Sequence, residues 1–380
     1  MRFFRLICAL VVCGTLCAAH GLPAESLGSE RHTTTDWELK PSFKFDTLCL
    51  LNALSGDPYY LDYYKAEYDH FNPLFTPAER DSFRQLKAII KDGEGNIISA
   101  KLALFFSTTA DETLQQMIQT TRDSSRMRTA LMETPYWSAD GWAAYEKARP
   151  QLEIALNALQ RVGFPQYWET QARPDIEKRI TELSPTLTQY NVIPAIEDKL
   201  AKPLSSNRIT IYLLAYSEPH GIKITGTRFI THVSYPFRIV LHNAVHEMMH
   251  PPYDQSDPAV AAAIEQIGRD PLIRDKVENH NKSFGYNSVP GYVEEDSVQA
   301  LEEIVCEQFG MERDSQEYWK TQDDGIHILA AAIYVQYKQA LHDDKAAISY
   351  PQWLVKAAHN GDLQGAKLAE TTRKFFAARQ

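Results

Sequence analysis

Two histidines four residues apart bracket a glutamate in Leu241-His242-Asn243-Ala244-Val245-His246-Glu247-Met248-Met249-His250. On a helix, residues four apart share a face. The rings of His246 and His250 can therefore aim at one point, at the roughly 2.0–2.1 Å that a zinc–nitrogen bond requires. Glu247 lies about a quarter-turn round the helix. It flanks such a metal without being forced to bind it, which is the place for a general base acting on water. A zinc ion there would bring the pKa of a water to about 7 and polarise a carbonyl.

The rest of this helix bears on the same chemistry. Val240, Leu241, Ala244, Val245, Met248 and Met249 make it apolar nearly all round, so it is expected to be buried. Burying two imidazoles and a carboxylate is costly unless they have partners, and a metal supplies them. Pro251-Pro252 stops the helix directly after the second histidine. His242, one turn before His246, is either a group that holds a metal ligand or a satisfied buried histidine. The competing account of the whole motif is coincidence in an exported helical binding protein.

The segment resembles the active-site helix of the zincin metallopeptidases. The metzincin form needs a glycine three residues after the second histidine and a third histidine three further on. Here those positions hold Tyr253 and Ser256. The remaining resemblance is to the gluzincin type, which implies a third ligand, a glutamate, from a later helix. The candidate helix is Gly291-Tyr292-Val293-Glu294-Glu295-Asp296-Ser297-Val298-Gln299-Ala300-Leu301-Glu302-Glu303-Ile304-Val305. Its apolar stripe is Val298, Leu301, Val305 and Phe309. Helical phase puts Glu294 in line with that stripe, with Glu295 and Glu302 on its shoulder. The resemblance favours Glu295, because a glutamate followed after three residues by valine and after five by alanine is similar to the second-ligand helix of bacterial gluzincin-like proteins. Glu295 is the preferred third ligand, with Glu294 the alternative. Glu303 and Glu307 fit a solvated face. The thermolysin-like form has asparagine before the ligand and serine and aspartate three and four residues after it; here stand Glu294, Val298 and Gln299. The subfamily and the partners of the ligands are left open by that departure. The resemblance covers mainly residues 208–310. What it implies is zinc-dependent hydrolysis of peptide bonds in a peptide or protein substrate, with Glu247 as the base. A zincin fold with altered catalysis is the alternative. The family's oxyanion donor is a tyrosine or histidine, for which His327, Tyr334 and Tyr286 are candidates by position.

The elements that must position these groups are mostly helices. Asp46–Leu54 has helical spacing. Thr76-Pro77-Ala78-Glu79 is a capping box that opens a helix to about residue 91, broken by Asp92-Gly93. Further helices are expected near 111–122, 138–162 (capped by Ser138), 171–184, 190–201, 257–268, 291–309, 324–342 and 363–377. Arg208–Tyr216 is rich in β-branched and aromatic residues and reads as a strand. Ile222–Tyr235, broken at Gly226, reads as one or two more, in a hairpin. The expected fold class is α+β, mostly helical and zincin-like, with a small sheet beside the motif helix.

The chain of 380 residues is 44% hydrophobic and 23% charged, with formal charge −10. An acidic chain without a basic cluster is not a nucleic-acid binder. Arg2 and Arg5 precede an apolar run from Leu6 to Ala19 and small residues. This pattern predicts a signal peptide over 1–21 and a secreted or periplasmic protein with no stable membrane insertion. The organisation expected beyond it is a helical region over 22–200, a catalytic core over 201–345 and a helical tail over 346–380, mildly basic from Lys367 to Arg379. Residues 20–36 read as a loose lead-in. Outside the signal only Cys49 and Cys306 remain, either one disulfide or two buried thiols. Asn281-Lys282-Ser283 is a glycosylation sequon, meaningful in a eukaryotic secretory host.

Overall fold

The computed structural model describes residues 7–8, 31–281, 284–343 and 348–377. Apart from Ile7 and Cys8, the expected signal peptide lies outside the described residues, as does Ser283 of the sequon. The chain folds as α+β, mostly helical, with a small mixed sheet. No helix among the described residues is long and apolar enough to cross a membrane.

Five strands take part: β1 (Ile7–Cys8), β2 (Asp36–Pro41), β3 (Arg208–Leu214), β4 (His220–Lys223) and β5 (Arg228–His232), in the order β1-β4-β5-β3-β2. β3 runs parallel to β2 and β5, while β4 and β5 form the antiparallel hairpin expected around Gly226. Gly226 takes φ +70°, a left-handed value that suits glycine at this turn. Sequence reading passed over β2. Its partner lies about 170 residues away, and nothing local marks a short parallel edge strand that also contains Pro41.

Several local signals hold in detail. Thr76 and Glu79 form both arms of the capping box, at 2.7 and 3.3 Å. Ser138 caps Ala139–Arg161 through Gly141 N–H. Helices over Pro58–Phe71, Ile98–Phe106, Pro271–Asn279 and Tyr350–His359 were not anticipated. Helix Ile98–Phe106 is buried all round, so it has no polar face whose period could have revealed it.

The motif helix spans Phe237–Met249 and is buried from Val240 onward, as its all-round apolar pattern predicts. It lies against β4, β5 and a central helix, Val289–Glu307, which we call the carboxylate helix. Ser288 caps the latter through Gly291 N–H at 3.2 Å. Every residue from Gly291 to Cys306 is buried. Glu303 is therefore not on a solvated face: it is fully buried and bound by Arg313, with Glu303 Oε2 accepting from Arg313 Nε at 2.9 Å. The period of one helix reveals only its own apolar stripe. Here neighbours cover the other sides too, among them Pro258–Ile267, Pro271–Asn279 and Ile328–Asp343. Glu307 is half-buried and pairs with Lys338 and Tyr334. Cys49 and Cys306 are separate buried thiols, and burial pushes both well above the usual thiol range.

Candidate metal centre

His246 sits in the last turn of the motif helix. His250 is the residue that ends it, with extended backbone (φ −78°, ψ 129°). A residue before proline is disfavoured in helical conformation, so Pro251 turns the chain away just after the second imidazole is placed. The two Nε2 atoms lie 3.1 Å apart. Glu295, from the carboxylate helix, faces both: Oε1 is 3.6 Å from His246 Nε2 and Oε2 is 3.8 Å from His250 Nε2. Tetrahedral ligands at zinc distances stand about 3.3 Å apart. The three residues are fully or nearly fully buried and could hold a metal ion between them.

The outer nitrogens of both rings are held. His246 Nδ1 donates to Glu302 Oε2 at 3.0 Å, and His250 Nδ1 donates to Glu294 Oε1 at 3.1 Å. A proton on each Nδ1 leaves both Nε2 atoms as acceptors, and at 3.1 Å two acceptors are accommodated by a proton on one of them or by a cation between them. Glu295 Oε2 and Glu247 Oε1 are buried without hydrogen-bond partners, which is costly for carboxylate oxygens. The donor set of two imidazole nitrogens and one carboxylate is one that could hold a metal ion.

Glu294 and Glu295, adjacent in sequence, thus take different places. Glu295 faces the Nε2 atoms, while Glu294 holds the far side of the His250 ring and is itself bound by Gln255. Glu302 serves two histidines: His242 Nδ1 donates to its Oε1 at 2.6 Å, and Arg313 also binds it. His242 Nε2 reaches Met311 O at 2.6 Å, so this ring is fully engaged. His242, Glu302 and Cys306 also lie close together, but the Arg313 guanidinium already neutralises Glu302 there.

The electrostatics follow from burial and neighbours. Burial raises Glu247, opposed by His246 and Lys223. Burial and the adjacent Glu295 push Glu294 up to about 8. Burial would lower His246, but Glu295 and Glu302 hold it up at about 9. Burial would raise Glu302, yet Arg313 and the two histidines hold it well below the usual carboxylate range.

β4 brings its backbone against Glu247. A Cβ added to Gly221 would stand 3.1 Å from Glu247 Oε1 and 3.4 Å from Asn243 Nδ2. Asn243 in turn donates to Thr231 Oγ1 at 3.0 Å, tying the motif helix to β5. Sequence reading passed over Gly221, although an isolated glycine in a strand is a sign of close approach. It also passed over Arg313 and Tyr136, neither of which carries a local signal. Burial, then Glu294 and Glu247, raise the Tyr136 phenol, which lies within electrostatic reach of both carboxylates. The three candidate oxyanion donors are engaged elsewhere. His327 bridges Asp296 (2.7 Å) and Asp323 (3.2 Å), Tyr286 donates to Asp323, and Tyr334 binds Glu307.

No protein-family model, curated protein or solved structure matches the chain.

Proposed function

We propose that this chain is an exported zinc metallopeptidase of gluzincin type, with His246, His250 and Glu295 as the metal ligands and Glu247 as the general base. One observation carries the reading. Two imidazole Nε2 atoms converge at 3.1 Å, a carboxylate from a distant helix stands opposite them with its Oε2 unpartnered among the described residues, and each outer nitrogen is held by a further carboxyl group. Carboxylate–histidine pairs of this kind orient metal ligands and raise their basicity.

When bound, zinc supplies a Lewis acid that acidifies water and polarises a carbonyl. The chain's own groups supply the rest. Glu247, raised by burial, accepts a proton from the attacking water and passes it to the departing amine nitrogen. Glu302 and Glu294 hold the two imidazoles in the tautomer that presents Nε2. Gly221 lets β4 pass close beside Glu247.

The test separates metal binding from catalysis. Protein purified without added metal is expected to hold one zinc per chain. Glu247→Gln is expected to keep that zinc and lose hydrolysis of a denatured-protein substrate by at least about a hundredfold. An exported binding protein with an accidental motif would hold no stoichiometric zinc, and retained hydrolysis in Glu247→Gln would remove Glu247 from the mechanism.

A further inference from the structure

Two lysines beside the candidate metal centre form no ion pair among the described residues. Lys223 is on β4, two residues after Gly221 and hence on the same face of the strand. Its Nζ touches Met248 Sδ at 3.8 Å. Lys202 approaches from the segment before β3, and its Nζ donates to Pro251 O at 2.9 Å. The two ammonium groups therefore contact the end of the motif helix at Met248 and the residue just after His250. Both lysines are only partly exposed. Among the described residues neither has a carboxylate within ion-pair distance, whereas Lys91, Lys101 and Lys338, also partly or fully buried, pair with Asp57, Glu94 and Glu307.

A half-buried cation left unpaired is unfavourable. Burial lowers both lysines, and for Lys223 the nearby Lys202 and Arg228 add to that fall. Glu247 favours the charged form of Lys223, and Asp254 and Glu294 favour that of Lys202. Arg228 is committed to Thr225 and to Ser107 O.

We propose that Lys202 and Lys223 form a carboxylate-binding subsite that selects acidic peptide substrates beside the scissile bond. The inference rests on the metallopeptidase reading. The carboxylate comes from an aspartate or glutamate side chain or from the peptide's own C-terminus, and the two sources share one chemistry. The net charge of −10 gives such a subsite a purpose: without a local cation pair, an acidic peptide is repelled by the chain as a whole.

The test uses zinc-loaded Glu247→Gln, so that bound peptide is not turned over. Three N-acetylated hexapeptides are titrated calorimetrically: internal glutamate with an amidated end, internal glutamine with an amidated end, and internal glutamine with a free C-terminal carboxylate. At least one carboxylate peptide is expected to bind about tenfold tighter than the neutral one, and which one identifies the source. The advantage should weaken with salt, collapse in Lys202→Met and Lys223→Met, and return in the corresponding arginine variants. Arginine keeps the charge, so it also answers the objection that a methionine variant fails to fold. Equal affinity for all three peptides, or a preference that survives in both methionine variants, overturns the subsite. Parallel assays with the unsubstituted protein keep the two readings apart. Hydrolysis of all three peptides alike removes the subsite and leaves the peptidase. Lysine-dependent binding without hydrolysis of any peptide does the reverse.

Discussion

At the scale of single residues, the centre depends on which nitrogen of each imidazole is free. Glu302 fixes that for His246 while also carrying His242 and Arg313. Glu302→Gln removes the charge that orients the ring and leaves Arg313 with Glu303 alone. On the proposed reading, zinc affinity falls about 10–100-fold, read by competition with a chelator of known affinity on protein shown to be folded by circular dichroism. An unchanged affinity would mean that His246 is oriented by packing rather than by this carboxylate. Adjacent residues on the same helix divide the work in a way their identity does not reveal. Glu295 meets the Nε2 atoms, and Glu294, one position earlier, meets His250 from behind.

At the scale of elements, the centre is the meeting of one strand and two helices. β4 approaches the motif helix so closely that a Cβ on Gly221 would stand 3.1 Å from Glu247 Oε1. Gly221→Ala therefore forces Glu247 or the strand to move by a few tenths of an ångström. On the proposed mechanism, kcat should fall about tenfold with zinc content unchanged, because small misplacements of a reacting group are expensive. Loss of zinc along with activity would instead point to a shift of the whole motif helix. The carboxylate helix, for its part, cannot be understood alone. Its buried acids are matched by groups from other segments: His246 and His250 from the motif helix, Arg313 from the turn beyond, and His327 against Asp296.

At the scale of the whole molecule, one contiguous apolar core runs from Phe45 to Leu368. β2, from the amino-terminal region, is hydrogen-bonded to β3. The sheet's buried end introduces a pH dependence. His232, at the end of β5, is pulled down by burial to about 4, although its bond to Ala215 O opposes this. In the unfolded chain the same ring titrates near 6.5. The folded form therefore resists protonation. Its contribution to stability is complete above about pH 6.5 and is lost as pH falls towards 4, by about 3 kcal/mol at most. Urea denaturation at pH 7 and pH 4.5 should show this loss, and His232→Asn should show a smaller one. Equal losses in both proteins would assign the acid sensitivity to other groups.

Sequence by itself placed the residues at one end of this centre. The spacing of His246, Glu247 and His250, the apolar helix that carries them and the prolines that end it are all local facts. Local rules also placed the capped helices at Pro77 and Ala139 and the strands around residues 208–232. What the tertiary structure decided is everything that depends on a distant partner. β2 is a strand because β3 lies beside it. Glu303 is buried because Arg313 reaches it. Glu295 rather than Glu294 faces the two Nε2 atoms because of how two helices cross. Periodicity reports which side of an element is apolar, whereas the choice between neighbouring carboxylates depends on the rotation of one helix against another, and that rotation is set by packing from many segments at once.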